Sequence, residues 1–226
     1  MDDAEATMWW YRALHARLLD ALPPDPGPIL DAGCGTGGFL ARIPSDRAAF
    51  GLEWNEDAGR RAAEKSGHPV ARGSVAAIPF ADAAFGTVAL ADVLCHAAVE
   101  PAAALAEIRR VLRPGGRLIV NMPAFRALLS AHDAAVHNAR RMNAAETRAM
   151  LTDAGFRVLS VRYWNGLLLP LMIVQRKILA RSSSRSDVAA FPPWLDRMFH
   201  GITEIERRLS LPLPAGGSVL AIAERP

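Results

Sequence analysis

Leu14, Leu18, Ala21 and Leu22 recur at i, i+4, i+7 and i+8, a spacing that predicts an amphipathic helix over residues 8–22, stopped by Pro23 and Pro24. From Pro28 onward the pattern changes to short apolar runs, PILDAG, AAFGLE, HPVARG, GTVALAD and GRLIVNM, separated by helical stretches. Such alternation predicts βαβ units and a doubly wound, mostly parallel α/β sheet. Ahead of the fifth run, Leu105, Ile108, Val111 and Leu112 share one helical face, and Pro114-Gly115-Gly116 predicts the turn into GRLIV. Asn143 followed by Glu146 predicts a capped helix that ends at Gly155, before a strand in FRVLSVRYW. SVLAIAE predicts the last strand. About fifty residues separate these two strands; they hold an apolar stretch, the polar run SSSRSD, a Pro-Pro pair and a helical stretch near Trp194 to Leu209. They predict an inserted helical cap with a Ser-rich joint.

Length and composition narrow the class. The 226 residues suffice for one domain with a substantial core, and 51% apolar with 22% charged residues is the composition of a folded protein. The net charge is only +3 and the arginines are scattered, which argues against a nucleic-acid partner. Cys34 and Cys95 make no disulfide framework and belong to no zinc pattern, so a reducing cytoplasm and no metal are expected. The start MDDAEATMWW lacks the basic region of a secretory signal. The longest apolar run, Gly166 to Val174, is shorter than the roughly 20 residues of a membrane span.

The chemistry concentrates in ILDAGCGTGGFL. A buried strand ends at Asp31, and a loop containing Gly33, Gly35, Gly37 and Gly38 leads into a short helix. Glycines are needed where backbone turns tightly and touches a ligand. Glu53 closes the second strand, where a carboxylate can accept hydrogen bonds from both hydroxyls of a ribose at the switch point of an open sheet. Gly33-x-Gly35-x-x-Gly38 also satisfies the dinucleotide fingerprint, so a nicotinamide-dependent dehydrogenase stays open on the glycines alone, although no Tyr-x-x-x-Lys pair accompanies them.

Asp31 just before the loop, the order D-A-G-C-G-T-G and the RVLRPGG turn resemble the class I S-adenosylmethionine-dependent methyltransferase family, from about Trp9 to Tyr163. The resemblance implies a seven-stranded Rossmann-like sheet with helices on both faces. It divides the chain into an N-terminal helical lid (1–24), a core (28–165), an inserted helical cap (166–211) and the last strand (212–226). It also implies S-adenosylmethionine as donor and S-adenosylhomocysteine as product. Asp31, Ala32, Gly33, Cys34, Gly35 and Gly37 would wrap the methionine and ribose, Glu53 would bind the ribose hydroxyls and Trp54 would flank the adenine. Many relatives carry an Asp where this chain has Ser74, so the adenine contact falls to Ser74 or the Val75 backbone. Asp92 and His96, in ALADVLCHA, would lie near the methionine end or the acceptor; helix-start packing is the other reading of His96. A sulfonium cation suits such carboxylates better than it suits phosphate-binding amides.

NMPAFRALLSAHDAAVHNARRM resembles a subgroup with an N-x-P-A turn after the fifth strand. If the acceptor is a hydroxyl or an ammonium, His132 or His137 can take its proton, with Asp133 orienting His137 from i−4 on a helix. Alternatively Asp133, His137 and Arg141 form a solvated i, i+4 ladder. Trp9, Trp10, Tyr11 and Arg12 match the lid helix of the same subgroup or simply anchor that helix to the core. Residues 167–178, apolar and ending with Arg176 and Lys177, suit peripheral membrane contact, an acceptor tunnel, core packing or a dimer face. The expected activity is methyl transfer to an O, N or C nucleophile of a small-molecule or lipid-like acceptor. A non-catalytic donor-binding protein is the alternative.

Overall fold

The computed structural model describes residues 8–25, 27–129, 133, 137–174, 192–210 and 212–226. Its centre is a seven-stranded sheet of β1 (Ile29–Ala32), β2 (Ala49–Glu53), β3 (Val70–Arg72), β4 (Phe85–Ala91), β5 (Leu112–Pro123), β6 (Arg157–Trp164) and β7 (Ser218–Glu224). The strand order is β3-β2-β1-β4-β5-β7-β6; β7 runs antiparallel to both β5 and β6, and the other neighbours are parallel. The helices are α1 (Trp9–Ala21), α2 (Glu56–Ser66), α3 (Pro101–Val111), α4 (Ala144–Asp153), α5 (Leu169–Val174) and α6 (Pro193–Arg208).

Strands buried on both faces read as continuous apolar runs, and side chains along each still alternate between the faces. Leu30, Ala32, Val88, Leu90, Leu118 and Val120 pack on one face with Leu105 and Ile108 of α3 and Leu151 of α4. Ile29, Ala89 and Ile119 pack on the other with Ala13, Leu14 and Leu18 of α1. Asn143 and Glu146 form the reciprocal capping box expected of them. Two local expectations are corrected. The helix after the glycine loop is a single 3-10 turn, Leu40–Arg42. Pro114-Gly115-Gly116 does not precede the fifth strand but bulges within it: Leu112 pairs with Phe85 and Arg117 with Thr87.

Of the inserted stretch, α5 and α6 are described, while SSSRSD and residues 175–178 lie outside the described residues. α6 packs on α1. Arg12 pairs with Asp196, whose carboxylate also accepts the Trp9 backbone N–H at 2.7 Å, and Arg207 pairs with Asp20 at 2.6 Å. Trp9 meets Phe199 edge to face and Trp10 stacks on Trp164. These aromatics thus tie α1 to α6 and to the end of β6.

The innermost tie is Glu206, buried with Arg17. Its carboxylate accepts from Arg17 Nη2 (3.4 Å) and from the backbone N–H groups of Asn165 (2.5 Å) and Gly166 (3.0 Å), where the chain leaves β6. Arg17 in turn lies 4.6 Å over the Trp164 ring. Glu206→Ala strands a buried cation, the buried Asn165 amide and the half-buried Gly166 amide and is expected to cost about 3–5 kcal/mol, read as a lowered urea midpoint.

His15 of α1 is buried between Tyr11 and Phe39, and its Nδ1 has no hydrogen-bond partner among the described residues. Burial, reinforced by the charges of Arg42 and Lys65, lowers its pKa to about 3. The unfolded chain therefore binds a proton that the folded chain refuses. His15's contribution to stability is complete above pH 6.5 and declines as pH falls toward 3, by up to about 1.4 kcal/mol per unit. Thermal unfolding from pH 7 to 4 is expected to show the wild type losing ground against His15→Leu; parallel curves would contradict this.

Candidate functional site

The strand order turns between β1 and β4, so the loops leaving their C-terminal ends diverge over a crevice. The loop after β1 is pinned to β2: Gly33 and Cys34 donate to the Leu52 carbonyl at 2.8 and 3.0 Å. Gly33 has φ +83°, and a Cβ there would sit 2.6 Å from Cγ2 of Val93, in the loop after β4. At Gly37, also φ +83°, a Cβ would meet the Ala62 backbone of α2 at 2.7 Å. Among the described residues nothing lies within 4 Å of the Cβ position of Gly35, so the middle of the loop presents bare backbone to open space.

Glu53 closes this corner. Its Oε2 accepts from the Gly35 amide and its Oε1 from the Asn55 amide, both at 2.9 Å. Asn55 itself caps α2 by accepting from the Ala58 amide at 3.0 Å, so the carboxylate stands between a helix start and the glycine loop. Trp54, next in the chain, is 71% exposed. Gly73 donates to the Glu53 carbonyl at 3.1 Å, which brings Ser74 beside the same corner. Ser74 Oγ accepts from the Ala76 amide, and Val75 is buried beneath. Glu107 and Arg110 of α3 hold this loop: Glu107 accepts from the Ile78 amide at 2.8 Å, and Arg110 donates to the Ile78 and Phe80 carbonyls at 2.9 Å. The Arg110 guanidinium keeps the Glu107 carboxyl below its usual range.

On the other side of the crevice, Asp92 leaves β4 with φ +55°, a left-handed conformation that aspartate tolerates better than most residues. Its amide donates to the Asn121 carbonyl at 3.1 Å and its Oδ1 accepts from Asn121 Nδ2 at 2.7 Å. Asn121 Oδ1 accepts from Trp164 Nε1 at 2.8 Å, completing a polar chain from the crevice to the Trp164 that lies under Arg17. Burial raises the Asp92 carboxyl to about 7, outweighing the Asn121 hydrogen bond and the Arg141 charge. Cys95, whose thiol donates to the Asp92 carbonyl at 3.0 Å, is pushed up by burial and packs as a neutral thiol.

The segment after β5 closes against the loop after β4. His96 bridges Asn138, and Arg140 donates to the His96 and Val99 carbonyls at 2.6 and 2.9 Å. Here the expected ladder is corrected. Asp133 and Arg141 are an almost fully buried pair, with Arg141 Nη2 to Asp133 Oδ1 at 2.7 Å. His137 is a turn residue, φ +58°, exposed, with its carbonyl accepting from the Ala97 amide at 2.9 Å. The carboxylate expected to orient His137 holds Arg141, eight positions on, instead. His132 lies outside the described residues.

The fold thus gathers Asp31, Ala32, Gly33, Cys34, Gly35, Gly37, Glu53, Trp54 and Asp92 at one switch point, with Ser74 and Val75 beside Glu53. Asn121, expected only as the start of an N-x-P-A turn after the fifth strand, lies inside β5, which runs on to Pro123; the signal of its inward role was a lone amide in the apolar run GRLIVNM. Trp164 and the Glu107–Arg110 pair had no comparable signal, since each acts across a long loop.

Residues 30–120 match a family model described as a methyltransferase domain. An uncharacterized protein of Mycobacterium tuberculosis is 34% identical over 179 residues, covering 71% of this chain and 60% of the relative. A protein of Mycolicibacterium smegmatis bearing the name probable S-adenosylmethionine-dependent methyltransferase is 32% identical over 137 residues, covering 58% of this chain and 52% of its own. Across the curated relatives it matches, the chain spans 37–60% of their length. Among solved structures, the geranyl diphosphate C-methyltransferase of Streptomyces coelicolor A3(2) superimposes with a TM-score of 0.65 at 16% identity, over 95% of this chain and 79% of that one, and shares the fold. The matched model lies over the glycine loop and the strands that flank it, so residues 30–120 of this chain are those of a methyltransferase domain.

Proposed function

We propose that this protein is a methyltransferase that uses S-adenosylmethionine, leaves S-adenosylhomocysteine, and methylates an O, N or C nucleophile of a small-molecule or lipid-like acceptor. The observation that carries the reading is the Glu53–Gly35 contact, a carboxylate locked against the bare middle of a glycine loop at the sheet's switch point. The open space over Gly35 fits a nucleoside ligand pressed on backbone, and each Glu53 oxygen keeps a lone pair for a ribose hydroxyl. In this reading Asp31, Ala32, Gly33, Cys34, Gly35 and Gly37 surround the methionine and ribose, and Trp54, Ser74 and Val75 take the adenine. Asp92 faces the methionine end.

When bound, the donor supplies an electrophilic methyl group on a sulfonium sulfur. The protein's work is then to hold the nucleophile in line with that carbon and, for O or N acceptors, to accept a proton. Asp92 and His137 are the proton acceptors we assign to the rim formed by the loop after β4 and the turn that closes on it. A lipid-like acceptor is in keeping with the geranyl diphosphate, an apolar chain on a charged head, bound to the Streptomyces coelicolor neighbour.

Two outcomes follow. Purified protein given methyl-labelled donor and a panel of small apolar and amphiphilic acceptors is expected to move label into the organic extract; donor binding with no label moved to any acceptor would contradict catalysis. Asp92 is neutral below about pH 7 and anionic above it, and a cationic donor favours the anion. Affinity for S-adenosylmethionine is therefore expected to rise up to about tenfold from pH 6 to 8, more steeply than affinity for neutral-sulfur S-adenosylhomocysteine. Asp92→Asn is expected to flatten the difference, and equal slopes for the two ligands in the wild type would remove Asp92 from this role.

A further inference from the structure

α6 has two apolar faces, and among the described residues only one is packed inside the protein. Phe199, Thr203 and Glu206 are buried toward α1 and the end of β6. At about 100° per residue, Trp194, Met198, Gly201, Ile205 and the following Leu209 fall within roughly 80° of one another on the opposite side. They are exposed: Trp194 by 65%, Met198 by 45%, Ile205 by 55% and Leu209 by 64%. An apolar stripe of this length, uncovered among the described residues, marks an interaction surface.

Charge is segregated along the same line. All three acids of α6 are engaged on the inner side or its border: Asp196 with Arg12, Glu206 with Arg17, and Glu204 with Arg207 at 2.8 Å. Arg197 and Arg208 are exposed and fall along one edge of the outer stripe; Arg208, 77% exposed, has its Nε 3.7 Å from Glu204 Oε2. The neighbouring α5 adds exposed Leu171 and Val174, preceded by exposed Leu167. No helix among the described residues is long and apolar enough to cross a membrane. A helix with one large apolar face, a Trp at its start and arginines at the border of that face is built to lie in the plane of a lipid surface.

We propose that the outer face of α6 docks on an anionic bilayer surface, with Trp194, Met198, Ile205 and Leu209 in the headgroup layer and Arg197 and Arg208 against lipid phosphates. A neutral surface would meet only the apolar stripe, whereas anionic headgroups meet the stripe and the exposed cations along its edge at once. This inference stands on α6 alone and does not depend on the donor site.

The test is co-sedimentation of the full chain with vesicles of phosphatidylcholine alone and of phosphatidylcholine mixed with phosphatidylglycerol. Binding is expected on the anionic vesicles, weaker on the neutral ones and at high salt. Trp194→Glu combined with Ile205→Glu is expected to lower binding on the order of tenfold or more. Arg197→Gln with Arg208→Gln is expected to lower it at low salt and to flatten its salt dependence. Leu159→Glu, at an exposed apolar position on β6, is the control expected to bind like the wild type. Unaltered far-ultraviolet circular dichroism keeps the comparison among folded proteins. Absence of binding to anionic vesicles, or equal binding by all variants, would overturn the proposal. A wild-type dimer that Trp194→Glu with Ile205→Glu converts to monomer, without vesicle binding, would assign the face to a second copy and overturn it equally.

Discussion

The parallel pairing of β1 with β4 is the constraint on which the rest depends. It puts two strand ends side by side while their continuing chains depart in different directions, and the crevice that opens must be lined by those two loops. Gly33 and Val93 show how tightly the loops are fitted, since not even a methyl group has room between them. Everything chemical in the molecule hangs from this junction: Glu53 reaches it from β2, Ser74 from β3, Asp92 from β4 and Asn121 from β5.

A second system holds the molecule's other end to the same junction. Asp92, Asn121 and Trp164 are joined by hydrogen bonds, Arg17 covers Trp164, and Glu206 joins Arg17 to the chain leaving β6. The N-terminal helix and the inserted helix are thus fastened to each other and to the strand end that supports the crevice wall. A buried ion pair stabilises little on its own, because desolvation offsets the attraction, but each of its members is costly to remove. Here that asymmetry makes the geometry of α1 and α6 specific.

Much of this was legible in the residues because local physics dictates it. Strands buried on both faces must be continuously apolar, so PILDAG and GTVALAD announced themselves, as did the Asn143–Glu146 capping box. The glycine loop and Glu53 were readable because only bare backbone and a strand-end acid can make that corner. What escaped was set by contacts distant in sequence. Asp133 and Arg141 suggest a helical ladder only if the chain between them stays helical; once His137 adopts a left-handed turn, the pair folds inward. The link from Asn121 to Trp164 spans 43 positions and follows from β5 and β6 flanking β7, a neighbourhood that no local pattern specifies.

The central claim is that the Gly35–Glu53 corner is a site for a sulfonium nucleoside. Calorimetric titration of the protein with S-adenosylmethionine, S-adenosylhomocysteine and NADH, alongside Glu53→Ala, tests it most directly. The account predicts micromolar binding of the two sulfur ligands, lost in Glu53→Ala and absent for NADH. Failure to bind either sulfur ligand, or a preference for NADH, would contradict it.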